Sequence, residues 1–197
     1  MKFSPYIFIV FVFASCSKKQ GNPFESIEFQ QGDVIFRRGM SVKSEVVLHA
    51  DSLGAYSHTG IVVFKDSIFQ VVHITPGERE NGETEDKIKM ESVSGFWRSD
   101  KAISGAVYRL KDNSLGEKAA QQALRLLQKG ILFNHNYQLN DTTEMYCTEL
   151  VWYAYKQAGE DISFGKRSIL NVPMFEGTYI LPSDIYTNSE FVLIYKF

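Results

Sequence analysis

The residue best suited to chemistry is Cys147, the only cysteine beyond the first twenty residues. It lies in the segment MYCTELVWYAY, where an irregular stretch ends and a helix is predicted to begin. N–H groups at a helix start are unpaired and the helix dipole favours negative charge, so the pKa of a cysteine there should be lowered. The same N–H groups can stabilise an oxyanion. Cys147 is therefore predicted to be a reactive thiolate, with an inert buried cysteine as the alternative.

A cysteine nucleophile needs a base, and two histidines have positions in the sequence that suit this role. His58 begins a predicted strand in YSHTGIVV, and His73 ends the next one in FQVVHITPG. If residues 59–64 and 68–74 pair as a hairpin, the two histidines become neighbours across the ladder. His73 can then orient His58 and fix its tautomer, as a carboxylate or amide does in other triads. The predicted catalytic residues are Cys147, His58 and His73.

The other candidate residues have less support. His49 has no such partners and is interpreted as structural, whereas His135, twelve residues before Cys147, is a candidate lining residue of the same cleft. No two of the predicted catalytic residues have the spacing of a short metal-binding motif, so no metal or other cofactor is expected. Three tyrosines are candidate substrate-binding residues: Tyr56, Tyr137 and Tyr146.

The elements that position these residues are strands, then two helices, then a final strand. β-Branched residues between glycines and turn-forming residues predict the strands. Apolar residues on one face predict the two longer helices, each ended by a glycine. This order predicts an α+β fold with a mostly antiparallel sheet packed against helices. The predicted strands are 32–39, 59–64, 68–74, 105–111 and 191–197, and the predicted helices are 41–49, 114–129 and 147–158. The segment KIKMESVSGFW, residues 87–97, is predicted to start with a short strand and to pass into a turn or short helix.

The N-terminus has the features of an export signal. Lys2 precedes an apolar run at residues 6–14, which is too short to span a bilayer. The run ends in FASC, which resembles a bacterial lipoprotein cleavage site and implies lipid attachment to Cys16; an ordinary secretory signal is the alternative. The predicted organisation is a signal peptide at 1–15, a lipid-anchored tether at 16–26 and one catalytic domain at 27–197.

Composition and cysteine count narrow the function. A chain of 197 residues with 44% hydrophobic residues has enough apolar material for one sizeable core. A net charge of -2 gives no basic field, so no nucleic-acid partner is expected. If Cys16 carries lipid, Cys147 has no disulfide partner in its own chain, and an unpaired cysteine in an exported protein is buried, intermolecular or reactive.

Five segments together resemble a known family: GDVIFRRG, SHTGIVV, AVYRLK, NYQLNDTTEMYCTELVWYAYKQAG and LPSDIY. They resemble the YiiX-like group of permuted papain-fold cysteine hydrolases, part of the NlpC-type superfamily of bacterial cell-wall peptidases. The resemblance covers residues 32–186 and implies a circularly permuted papain-like fold. In that group the histidine precedes the cysteine, which makes Cys147 the nucleophile and His58 the base.

Two departures from the family pattern concern negative charge. The third polar residue is often glutamate in this group, whereas here the place is held by His73, so glutamate at this position is expected to retain activity. The loop before the cysteine often has Tyr-Asp, and here the matching pair is Asn136–Tyr137. The first departure predicts weaker stabilisation of the imidazolium of His58, and the second removes an acidic contact.

These observations predict a lipid-anchored cysteine hydrolase in the cell envelope, on the periplasmic or outer-surface face. The expected reaction cleaves an amide through an acyl-enzyme, with cell-wall peptide or a lipid amide as substrate. The alternatives are a lipid-directed acyltransferase, phospholipase or thioesterase with the same triad, or a non-catalytic binding module.

Overall fold

The computed structural model describes residue 24 and residues 26–79, 82–139, 141–171 and 176–197. The predicted signal peptide, Cys16 and nearly all of the tether lie outside these residues. In the described part, the strands are β1 (Val34–Gly39), β2 (His58–Lys65), β3 (Ile68–His73), β4 (Lys89–Ser92), β5 (Ala102–Leu110), β6 (Leu132–Phe133), β7 (Glu144–Met145), β8 (Ser168–Leu170), β9 (Gly177–Tyr179) and β10 (Phe191–Lys196). The helices are α1 (Val42–Ala50), α2 (Val93–Phe96), α3 (Gly116–Lys129), α4 (Cys147–Ala158) and α5 (Pro182–Tyr186).

The main sheet has six strands in the order β10-β5-β1-β2-β3-β4, and all neighbours are antiparallel. The predicted α+β fold with a mostly antiparallel sheet is confirmed. The predicted hairpin is confirmed as β2 and β3, joined by Asp66 and Ser67 in left-handed conformations. The short pair β6 and β7, the one parallel pair among the described strands, follows from no pattern recognised in the sequence.

Both faces of the sheet are covered, which explains why the residues of β1 and β2 are almost continuously buried instead of alternately buried and exposed. Helices α3 and α4 cover one face, and α4 packs against both α3 and β2. On the other face, Phe96, the last residue of α2, and Trp97, which follows it, form an apolar cluster with Val62 of β2 and Val71 of β3. Successive residues of β2 and β3 therefore point alternately to the helices and to Phe96.

The two longer helices end as the glycines predict. Gly130 and Gly159 adopt left-handed conformations at the C-termini of α3 and α4, with φ of 67° and 117°. Helix α3 begins two residues later than predicted, because residues 113–115 form a 3-10 turn in which the Asp112 carboxylate accepts the Ser114 N–H. Within the described residues, no helix combines the length and hydropathy needed to cross a bilayer.

Candidate active site

Cys147 and His58 both line one cavity of about 900 Å³. Cys147 is the first residue of α4, half-buried in the cavity wall, and His58 is the first residue of β2. Because α4 packs against β2, the two element starts come together, and the backbone N–H of Thr59 acts to lower the pKa of the Cys147 thiol. The pairing of a helix start with a strand start is what the sequence predicts for a nucleophile and its base.

His58 and His73 are in contact, as the hairpin predicts. His73 pairs with Gly60, and His58 lies two residues before Gly60 on the same face of β2, so the histidines are diagonal neighbours. Nε2 of His58 lies 2.9 Å from Nδ1 of His73 in a buried hydrogen bond. Gly60 leaves this space open: a Cβ there would lie 3.0 Å from Cβ of His73 and 2.6 Å from Cγ1 of Val71.

Phe96 fixes the planes of the two imidazole rings. The His58 ring stacks on it with centroids 5.4 Å apart, and the His73 ring meets it edge-on at 5.2 Å. Both histidines are almost completely buried, with 5% and 0% of their surface exposed. The packing therefore limits each ring to one orientation, which a base needs if it is to face the thiol consistently.

Glu91, which the sequence reasoning did not identify, lies behind the histidine pair. Strand β4 pairs with β3 so that Val71 is opposite Glu91, and Oε1 of Glu91 lies 2.9 Å from Nε2 of His73. The segment KIKMES alternates charged and apolar residues, which is the pattern of a strand with one charged face. That pattern was available in the sequence, but the pairing of β4 with β3 was not predicted.

Glu91 belongs to a cluster of buried and partly buried charges on the Phe96 face. Lys101 Nζ lies 3.0 Å from Glu91 Oε2 and 2.9 Å from Glu78 Oε2. Lys89 Nζ lies 3.1 Å from Glu78 Oε2, and Arg37 also pairs with Glu78. Within the described residues, this cluster holds three cations and two carboxylates, so the neighbourhood of the histidines is electropositive when both are neutral.

Burial decides the protonation of the resting pair. It raises the pKa of the Cys147 thiol to about 11, although N–H groups of Thr59, Thr148 and Cys147 oppose the shift. Burial, followed by the charge of Arg37, lowers the pKa of His58 well below 6.5. The expected lowering of the cysteine pKa by the helix start is therefore wrong for the net shift, because desolvation outweighs the N–H groups. At neutral pH the pair is a thiol and a neutral imidazole.

The pKa of His73 is also lowered, to about 4, because burial outweighs the opposing contact with Glu91. A neutral His73 can accept one hydrogen bond and donate another. His58, His73 and Glu91 thus form a continuous line of contacts from the cavity wall to a carboxylate. The negative charge that seemed to be missing at position 73 is present one strand further out.

The three candidate tyrosines have different positions. Tyr137 and Tyr146 line the cavity beside Cys147, with their ring centroids 5.8 Å apart. Burial raises the pKa of Tyr137 to about 12, and Tyr146 accepts a hydrogen bond from the N–H of Ile180. The remaining candidate lies elsewhere.

Tyr56 is a core residue. Its ring packs between Phe36 and Tyr186, with 1% of its surface exposed, and it is not among the lining residues of the cavity. The geometry therefore gives no support to a direct substrate contact. An aromatic residue two positions before His58 is close in sequence, but the chain turns it into the core before β2 begins.

The two other histidines lie outside the cavity that Cys147 shares with His58. His49 is exposed in the last turn of α1, where Nδ1 lies 2.8 Å from the carbonyl oxygen of Glu45. His135 is exposed, lies 3.4 Å from Asp86, and lines a neighbouring cavity. Tyr137 lines both cavities, so the position of His135 is close to the site but separate from it.

The profile of one family matches residues 28–195, nearly all of the predicted domain. Its description is "Permuted papain-like amidase enzyme, YaeF/YiiX, C92 family". The chain belongs to the permuted papain-like amidase family. The resemblance to YiiX-like hydrolases that the sequence motifs predict is thereby confirmed, and membership indicates a cysteine-type hydrolase of the amidase kind.

A solved structure supports the same fold for this family member. The crystal structure described as metalloprotein YiiX from Escherichia coli O157:H7 is 21% identical, with a TM-score of 0.67. The match covers 85% of this chain and 97% of that one. The description as a metalloprotein applies to that protein. In the described part of this chain, no three His, Cys, Asp or Glu side chains are placed to hold a metal ion. No curated protein sequence is significantly similar to this chain.

Proposed function

We propose that this family member cleaves an amide bond with a Cys147–His58–His73 triad, in cell-wall peptide or a related amide. The observation that carries the proposal is the shared cavity, where a half-buried thiol and a buried histidine meet and a second histidine holds the first at 2.9 Å. A neutral base beside a neutral thiol is suited to general-base catalysis at neutral pH.

The reaction follows from this geometry. Nε2 of His58 is bonded to His73, so its Nδ1 takes the thiol proton while the sulfur of Cys147 attacks the carbonyl carbon. N–H groups at the start of α4 stabilise the tetrahedral oxyanion. The imidazolium of His58 then protonates the leaving nitrogen, the C–N bond breaks and a thioester remains. Water, losing a proton to His58, attacks the thioester, and the proton returns to the sulfur as the acid leaves.

Charged residues around the cavity favour a polar, charged substrate such as a peptide. Cations and carboxylates both line the wall that lies beside β4 and the loop after β3. A plain acyl chain would remove water from these charged groups and offer them no hydrogen bond in return. The lining residues with a formal charge are Arg37, Lys43, Glu78, Arg79, Lys89, Glu91, Arg98, Asp100 and Lys101.

One observation favours the lipid-directed alternative. Two apolar side chains line the cavity and are exposed: Met40, two residues before α1, is 57% exposed, and Val42, the first residue of α1, is 83% exposed. Helix α1 buries none of its residues, so its apolar side chains are available to an acyl group at the cavity rim. An acyltransferase, phospholipase or thioesterase would use the same cysteine and histidines. A non-catalytic binding module is the remaining alternative.

Parallel incubation with defined muropeptides and with phospholipid vesicles separates these functions. Mass spectrometry of the products should show a muropeptide amide cleaved by wild type and left intact by Cys147→Ala. Cleavage of an ester or transfer of an acyl chain in the vesicle arm would instead establish the lipid-directed function. No product in either arm, with Cys147 unreactive to iodoacetamide until denaturation, would point to a binding module.

We also propose that lipid on Cys16 anchors the domain to a membrane of the cell envelope. The support is the FASC segment after a short apolar run. Wild type should fractionate with membranes, and its N-terminal peptide should carry the mass of the lipid. Cys16→Ser should give a soluble exported protein or an uncleaved precursor. An unmodified N-terminus beyond Cys16 would exclude the anchor.

A further inference from the structure

We propose that Glu91 is a positioning residue that acts through His73 to select the tautomer of His58 whose Nδ1 can accept the thiol proton. The inference rests on the proposed function for its catalytic consequence. Its structural part, the position of two ring protons, stands without it and can be measured separately.

The tautomers follow from which groups can donate. An ionised carboxylate only accepts hydrogen bonds, so the close contact with Glu91 places the proton of His73 on Nε2. Nε2 of His73 is buried, and among the described residues no hydrogen bond of standard geometry reaches it. The carboxylate of Glu91, 2.9 Å away, is the acceptor in contact with it and so can select the tautomer. Neutral His73 then has a lone pair on Nδ1, and the 2.9 Å bond to His58 requires His58 to donate from Nε2.

The consequence for His58 is a free lone pair on Nδ1. The opposite tautomer would place hydrogen on Nδ1 and leave two lone pairs facing each other between the histidines. Without Glu91, both rings can switch together, with His73 donating from Nδ1 to Nε2 of His58. That state keeps the bond between the histidines but removes the acceptor that the thiol proton needs.

Glu91 is held in place as an ionised group. Burial opposes its ionisation, but the contacts with His73 and Lys101 outweigh burial and lower the pKa of Glu91 to about 2. Lys101 Nζ lies 3.3 Å and 3.0 Å from the two carboxylate oxygens. The carboxylate is therefore an acceptor throughout the range in which the enzyme can operate.

Glu91 also supplies charge when His58 becomes an imidazolium. The charges of Arg37 on β1, Lys89 on β4 and Lys101 before β5 act on that ring, and so does the neighbouring His73 on β3. Cys147 on α4 lines the same cavity, and Glu91 on β4 contacts His73. The three cations disfavour the imidazolium. Glu91 contacts the ring that contacts His58, so its negative charge partly offsets them. One proton moves, from sulfur to Nδ1 of His58, and none leaves His73 or Glu91.

Two substitutions separate tautomer selection from charge. Glu91→Gln keeps a carbonyl oxygen that can accept the proton of His73 but removes the charge, whereas Glu91→Leu removes both. The matched control is Glu117→Gln, an exposed glutamate in the first turn of α3. Circular dichroism and thermal melting of each variant show whether it is folded.

Nitrogen-15 NMR of the histidine rings reads the tautomers without any substrate. In wild type and Glu117→Gln, His58 and His73 should both carry hydrogen on Nε2. Glu91→Gln should keep that state, and Glu91→Leu should populate the Nδ1–H tautomer of both rings. Hydrogen on Nδ1 of His58 in wild type, or unchanged tautomers in a folded Glu91→Leu, would overturn the proposal.

Alkylation of Cys147 by iodoacetamide reads the consequence for the thiol, again without a substrate. Its rate between pH 6 and 9 should fall roughly tenfold in Glu91→Leu, as for a group acting one residue removed, and less in Glu91→Gln. With the substrate found by the product screen, kcat should fall with KM little changed. If the tautomers behave as stated but no amide is cleaved, the proposed function fails and the positioning role remains.

Discussion

The two faces of the main sheet differ in chemistry, and the candidate active site lies where they meet. The face under α3 and α4 is apolar and delivers Cys147. The opposite face carries the charge cluster around Glu91 and Lys101, packed beside Phe96, and delivers the ring of His73 behind His58. The apolar surroundings raise the pKa of the nucleophile, whereas the polar side fixes the orientation and protonation of its base.

Because the two faces differ in this way, the reactivity of Cys147 depends on its pairing with His58 and not on the helix start alone. A thiol with a raised pKa reacts at neutral pH only if a neighbouring base removes its proton during attack. The base must then be neutral and correctly oriented, which the histidine line provides.

The largest effect is expected at the nucleophile. Cys147→Ala should abolish amide turnover, a loss of at least about 10³-fold, because no other described side chain replaces the sulfur. Product formation by mass spectrometry measures the loss, and an unchanged melting temperature shows that the fold is intact. Full activity in this variant would remove Cys147 from the mechanism.

The second-largest effect is expected for loss of the base, and the three histidine variants should lower kcat/KM to different degrees. His58→Ala should lower kcat/KM by roughly 10²–10⁴-fold. His73→Ala keeps the base but loosens it, so the loss should be smaller, and His49→Ala should be close to wild type. Equal, mild losses at all three positions would contradict these roles. The same series should slow alkylation of Cys147 in the same order.

Glutamate at position 73 should now lower activity, contrary to the expectation from the family pattern. Its carboxylate would face Glu91 in a buried space where two like charges cannot both be ionised. One carboxylate would take up a proton, and the line to His58 would be altered. The double variant His73→Glu with Glu91→Gln should recover part of kcat/KM. Wild-type activity in the single variant would show that the two side chains do not meet.

The smallest effect is a pH dependence of stability set by the polar face. The pKa of His58 lies well below 6.5 in the folded protein and that of His73 at about 4, so the unfolded chain binds more protons below pH 6.5. The free energy of unfolding should therefore be highest above pH 6.5 and fall as the pH drops toward 4. Glu78 and Glu91, with pKa values of about 2, continue the loss below pH 4.5.

Thermal melting from pH 7.5 to pH 4 measures this slope. His73→Leu removes one of the two groups that gain a proton on unfolding. Its melting temperature should therefore change less between pH 6.5 and 4, even if its stability at pH 7 is lower than that of wild type. A wild-type melting temperature that stays constant over this range would contradict burial of both histidines as neutral rings. For the same reason, the acidic limb of the rate profile should lie below pH 6.5.

The sequence by itself determined the elements that local pattern specifies. Two apolar, β-branched runs around the polar turn KDS specified the β2–β3 hairpin, and the hairpin register then brought His58 beside His73. Helical periodicity ended by Gly159 fixed α4, which placed Cys147 at a helix start. These features depend on residues close together in the chain, so periodicity and turn chemistry are sufficient to predict them.

The tertiary structure alone decided three things. It paired β4 with β3 and so brought Glu91 to His73, because strand order depends on contacts that no local pattern encodes. It turned Tyr56 into the core, and it buried Cys147 enough to raise a pKa that the helix start alone would lower. Burial is the sum of all packed neighbours, and desolvation of a charge depends on that sum, so only the folded arrangement sets it.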